Sequence, residues 1–163
     1  MVKKLLMHWI CDAFGQNSRR VRLLERLSTW SSGLARIRAN LLHRHIIPSA
    51  LCLICNQEDE DVSHALWGCP YARDVWSMAS PCLQKATCSM DDFRKIAQYI
   101  FGRLMPNERT QWMSITWALW SARNKLLFEE VLIPPGKVVE IGNNLWEDFA
   151  KAMSRGMLHS PPP

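Results

Sequence analysis

A mainly α-helical protein is what this 163-residue sequence predicts, and three observations predict it. Apolar residues recur at three- and four-residue intervals through most of the chain, the pattern of a helix with one buried face. Pro48, Pro70, Pro106 and Pro134-Pro135-Gly136 fall where such stripes stop or restart. Between them lies the run Cys52-Leu53-Ile54-Cys55, then eight residues, His64, four residues and Cys69. Two thiols separated by two residues can hold one ion from a tight turn, and a downstream imidazole and third thiol complete a roughly tetrahedral shell, which is a zinc spacing. The expected architecture is a small zinc-stapled helical domain followed by a helical extension.

Leu5, Leu6, Trp9, Ile10 and Ala13 predict an amphipathic helix ending near Gly15. A second helix starts with Ser18 as N-cap, with Val21, Leu24 and Leu27 on one side and arginines mostly on the other. From Leu34 the positions Ile37, Leu41 and Leu42 continue a stripe that Pro48 ends before residue 47. Arg36, Arg38, His43, Arg44 and His45 decorate that helix.

Around the Cys and His residues, backbone amides of a tight knuckle are expected to point at the thiolates. Glu58, Asp59, Glu60 and Asp61 read as an exposed loop, since four consecutive carboxylates cannot all face one divalent ion. Ser63 is placed to cap the turn carrying His64, and Pro70 suits the first position of the next helix. Ala72, Val75 and Trp76 line that helix, with Trp76 expected in the core beneath the metal site.

Pro81 to Ser89 lacks periodicity and reads as a loop. Ser89 to Asp92 resembles a capping signal for a helix whose face is Phe93, Ile96, Ala97, Ile100 and Phe101. A long helix is expected from about Glu108 to Glu129, with Trp112, Ile115, Leu119, Ala122 and Leu126 as its seam, widened by Trp117 and Trp120. Tryptophans at that spacing read as core rather than as base-stacking platforms, and Arg123-Asn124 reads as a hydrogen-bonding pair at the helix end. Val138, Ile141, Leu145, Trp146, Phe149 and Met153 mark a final helix before a stiff Pro161-Pro162-Pro163 tail.

The cysteines admit other readings. A redox dithiol at Cys52 and Cys55 leaves His64 and Cys69 without a use. Inert buried thiols explain no spacing. Removing three cysteines to a metal leaves Cys11, Cys82 and Cys88, an odd remainder that argues against complete disulfide pairing and for a reducing compartment. The apolar runs are too short or interrupted to span a bilayer, and Lys3 to Cys11 mimics a signal peptide without a convincing cleavage site. The expected setting is intracellular, nuclear or cytoplasmic.

The same residues carry a resemblance. Cys52-Leu53-Ile54-Cys55, Glu60 to Pro70 with His64, Trp67 and Cys69, and then Val75-Trp76 resemble the zinc-binding domain that follows the polymerase in plant non-LTR, LINE-type reverse transcriptases. Gly33-Leu34 and Arg38 to Arg44 are similar to the segment leading into the family's first Cys pair. Trp117 to Lys125 with Phe128-Glu129 is similar to the connector toward a ribonuclease H-like domain. The likeness spans about residues 33 to 130, with Ala35-Arg36 standing where the family usually has Pro-Thr. It implies the zinc domain at 33–80 and a helical connector at 81–163 that stops where a ribonuclease H-like domain would begin, and it leaves the amino-terminal helical segment at 1–32 unassigned. Polymerase and ribonuclease H-like domains of a longer relative are the protein partners it implies.

Three thiolates and one imidazole leave no open position for a catalytic water, so the expected metal site is structural, with Cys52, Cys55, His64 and Cys69 as ligands. Its loss should unfold at least residues 50 to 80. The scattered acids do not supply the converging carboxylates of polymerase or ribonuclease H chemistry, and catalysis by this chain is not expected. The net charge of +5 is uneven: residues 1–50 hold nine Lys or Arg against two Asp or Glu. That basic third, with Arg36, Arg38, His43 and Arg44 as candidates, points to RNA or DNA as partner. The competing reading is a structural or protein-interaction module in which zinc only stabilises the fold, and a retroelement remnant is a third.

Overall fold

A computed structural model describes residues 37–84 and 92–157. Both expected amino-terminal helices, Arg36, the capping signal at Ser89, Cys11, Cys88 and the proline tail lie outside the described residues. Within them the protein is helical. The one extended pairing among the described residues is an isolated antiparallel bridge between Leu51 and Asp59.

Helix α1, Arg38–His43, is six residues long. It stops three residues sooner than Pro48 would require, because His45 takes a left-handed conformation (φ 57°). The His45 amide bonds the Leu42 carbonyl (2.8 Å) and the Ile46 amide bonds the Leu41 carbonyl (2.9 Å), the two bonds of a Schellman stop. The chain then enters the knuckle and a π-helical turn, His64–Gly68. Helix α2, Pro70–Met78, follows with Pro70 in its first turn as expected. Pro81–Gln84 forms a single turn, α3, where a loop was expected.

Helix α4, Phe93–Phe101, buries Phe93, Ile96, Ala97, Ile100 and Phe101, the face its spacing predicted. Helix α5, Pro106–Glu129, starts at Pro106, two residues before the expected Glu108. Glu108 instead acts from inside the first turn, its carboxylate accepting the Met105 amide (2.8 Å). Helix α5 ends at Glu130 in the left-handed region (φ 58°). Its buried surface is wider than the predicted seam and takes in Thr110, Ser114 and Thr116. Their hydroxyls are satisfied within the helix: Ser114 donates to the Thr110 carbonyl (2.9 Å) and Thr116 to the Trp112 carbonyl (2.8 Å).

Helix α6, Pro135–Met157, returns against α5. Asn107 accepts from the Trp146 indole (3.0 Å), Gln111 donates to Asn143 (3.0 Å), and Gly142 lies on Ile115. One partner number rises as the other falls, so the helices are antiparallel. A Cβ at Gly142 would stand 2.8 Å from Ile115 Cγ1 and 2.9 Å from Ile115 Cα, which is why this position of the interface is glycine. The turn between them is tied to α2 by the Tyr71 hydroxyl, which donates to the Ile133 carbonyl (2.6 Å).

The core is organised on Trp112, 1% exposed. Trp76 and Phe93 stack on it at 5.9 and 5.8 Å, and Phe101 meets it edge-on at 5.6 Å. Trp76 also packs against Trp67 at 5.3 Å and donates its indole N–H to the Leu66 carbonyl (2.8 Å). Trp76 thereby joins the aromatic core to the turn that carries His64, as expected of a residue beneath the metal site. No described helix is long and apolar enough to cross a membrane.

Candidate metal centre

The knuckle is built by short backbone bonds. Cys52 donates its amide to the Glu58 carbonyl (2.9 Å) and accepts the Asn56 amide on its own carbonyl (2.9 Å). Asn56 turns the chain in the left-handed region (φ 52°), which its short polar side chain tolerates. Glu60 closes the base, its amide bonding the Ala50 carbonyl (2.8 Å), and its carbonyl accepts from Ala39 of α1 (3.1 Å). The turn carrying His64 is capped by Asp61, whose carboxylate accepts the His64 amide at 2.6 Å. Ser63, the expected cap, is already in helical conformation and makes no cap bond, so the capping residue lies two positions earlier.

The donor atoms of Cys52, Cys55, His64 and Cys69 all lie within 4.8 Å of one another. Cys52 Sγ and Cys69 Sγ are 4.0 Å apart, and Cys55 Sγ and His64 Nε2 are 3.3 Å apart. Two sulfurs bound tetrahedrally to zinc would be separated by about 3.8 Å, and a sulfur and a nitrogen by about 3.6 Å. The cluster therefore fits a zinc ion at its centre without rearrangement of the fold. Cys52, His64 and Cys69 are buried and Cys55 is half-buried.

Around the donors stands a second layer that the sequence did not disclose. His64 Nδ1 lies 3.0 Å from the Glu58 carboxylate, which fixes the ring with Nε2 toward the sulfurs, the carboxylate–histidine arrangement common at zinc sites. Arg123, from the far end of α5, donates from Nη2 to Cys52 Sγ (3.1 Å) and also to the Glu60 carboxylate. The Cys55 amide donates to the Cys52 sulfur and the Tyr71 amide, in the first turn of α2, to the Cys69 sulfur.

These contacts polarise the donors. A hydrogen bond from Cys69 holds the Cys52 thiol far below its usual range, with the Cys55 amide and the Arg123 guanidinium assisting against burial. The same bond and burial push Cys69 up. Burial raises the Glu60 carboxyl, opposed by Arg123. Burial also acts against the Arg123 charge, but Glu60 and Cys52 outweigh it and hold the guanidinium protonated.

Two expectations change here. The acidic run is not a uniform exposed loop: Glu58 holds His64, Glu60 is buried against Arg123, and Asp61 is a cap. Arg123 is not a helix-end pair with Asn124 but a buried ion-pair partner. One signal for it was present, because Arg123 stands four residues after Leu119 and beside Ala122, on the apolar seam, where a charge demands a partner.

The basic candidates separate. Arg38 is half-buried and donates to the Ser49 carbonyl (2.9 Å), a bond that holds the segment leading into the knuckle. His43 and Arg44 are exposed at the end of α1, beside exposed His45 and Ile46. The structure does not bring these side chains to the cysteine cluster by any hydrogen bond among the described residues.

Comparison with known families agrees with the site. A family model described as zinc-binding in reverse transcriptase matches residues 18–76, the stretch that contains all four donors. Residues 18–76 are thus similar to the zinc-binding domain of reverse transcriptases, and zinc is the cofactor that the cluster suits. No curated protein and no solved structure matches the chain.

Proposed function

We propose that the chain is a non-catalytic module whose zinc, held by Cys52, Cys55, His64 and Cys69, fixes the fold. The observation that carries this reading is the convergence of three sulfurs and one imidazole nitrogen within 4.8 Å. A four-donor shell offers no position for a reacting water. When bound, zinc would supply cross-linking of the knuckle to the π-turn and α2; the protein supplies Glu58 to orient the imidazole and amides to the sulfurs. X-ray absorption at the zinc edge tests it: three sulfurs and one nitrogen support the assignment, and a shell with oxygen donors contradicts it.

Contact with RNA or DNA is a second reading, favoured by the exposed His43, Arg44 and His45 at the end of α1. Phosphate contacts there would make retention fall with salt, and Arg44→Ala would reduce the slope of that dependence by about one. Arg38→Ala should act on stability instead. Retention unaltered by Arg44→Ala at every salt concentration would favour the purely structural module. In this reading, which the resemblance of residues 33–130 to plant LINE-type elements supports, the module would lie between a polymerase and a ribonuclease H-like domain of an intracellular polyprotein.

A further inference from the structure

We propose that Arg123 is a positioning residue of the metal centre, joining the Cys52 sulfur to the Glu60 carboxylate so that metal occupancy and the seating of α5 become one event. The inference rests on the metal reading above and extends it to a residue 47 positions beyond the segment that the family model matches, which ends at residue 76.

The side chains of Arg123 and Glu60 are 4% and 11% exposed. A guanidinium buried to that degree is tolerated only with anionic partners. Among the described residues Nε and Nη1 of Arg123 have no hydrogen-bond partner, so its charge is met there through Nη2, by Cys52 and Glu60. Metal at the cluster would hold the Cys52 sulfur, as a thiolate acceptor, at the position that Nη2 of Arg123 reaches. The bond to Cys52 is therefore best defined when the site is filled. By linkage, a metal that strengthens the hold on α5 is itself held more firmly when α5 is seated.

The space beside Arg123, lined by Leu53, Ile54, Trp120 and Leu127, amounts to about 10 Å³, room for one water. Arg123 also distinguishes the sulfurs. It bonds Cys52, while Cys55 faces His64. A thiolate that accepts a charged hydrogen bond is a weaker nucleophile, so Cys52 should be selectively shielded.

The test uses the full zinc-loaded chain, iodoacetamide as probe, and peptide mass mapping of each alkylated cysteine. Arg123→Met combined with Glu60→Met removes both charges together, and Arg123→Lys keeps the charge without the fork. In the double variant Cys52 should be alkylated at least about tenfold faster than in the parent, the worth of one charge-assisted hydrogen bond, with Cys55 unchanged. Arg123→Lys should fall between them, and it carries the comparison if the double variant does not fold. Hydrogen exchange on the parent chain adds the second readout: a chelator should expose amides around Leu119 to Arg123 as well as those of the knuckle. Equal acceleration at all three ligand cysteines, no acceleration at Cys52, or α5 protection indifferent to the chelator would each overturn the proposal. A parent chain that takes up no zinc would defeat the metal reading itself, before any variant is compared.

Discussion

Arg123 and Cys52, separated by 71 positions in the chain, are joined by a 3.1 Å hydrogen bond from guanidinium to sulfur. Through it the longest of the described helices takes part in the environment of a cluster whose four donors lie within 18 residues of sequence, from Cys52 to Cys69. The metal centre and the aromatic core are parts of one structure, and perturbing either should be felt in the other.

Removal of Glu58 should weaken metal binding without unfolding the loaded protein. Its carboxylate orients the His64 ring from an exposed position, and losing such a partner costs about 10- to 100-fold in affinity. Competition with a chromophoric chelator should show that loss for Glu58→Ala and a smaller one for Glu58→Gln, which keeps an acceptor oxygen. Equal affinity in all three proteins would mean that the contact does not orient the ring.

Gly142→Ala should destabilise the α5–α6 pair by about 1–3 kcal/mol, because the new methyl would overlap the Ile115 backbone. Alanine is the better helix former by about 1 kcal/mol, so the sign of the result separates packing from propensity. Gly136→Ala is the control. Its nearest neighbour is the Met78 sulfur at 3.8 Å, and urea unfolding should find that variant neutral or more stable.

Trp112→Ala should cost about 3–5 kcal/mol, the usual effect of emptying a large aromatic site. The expected fall in thermal midpoint is about 2–4 °C per kcal/mol for a chain of this size. Trp112→Phe should cost much less, since the buried indole N–H has no hydrogen-bond partner to lose.

The parts legible in the sequence are those set by local rules. Cys52, Cys55, His64 and Cys69 could be read together because a knuckle and one turn bring them within reach over a short stretch. The buried faces of α2, α4 and α6 followed from spacing, and Pro70 marked its helix start. What was not legible depends on distant partners. Arg123 and Glu60 find each other across 63 positions, and the place of Arg123 on the apolar seam signals that it needs a partner without saying which. Gly142 resembles any helical glycine until Ile115 is placed against it. His45 ends α1 by adopting a left-handed conformation that its sequence neighbours did not require, and the wide burial of α5 reflects packing on several sides.

The central claim is that zinc at the four-donor cluster holds this fold together, since apparent binding energies at structural sites, about 10 kcal/mol or more, rival the stability of a small domain. Native mass spectrometry of the purified chain, before and after a chelator, with circular dichroism on the same samples, tests it most directly. The account predicts one bound zinc whose removal lowers helicity and is reversed by adding zinc back. A metal-free chain with full helicity would contradict it.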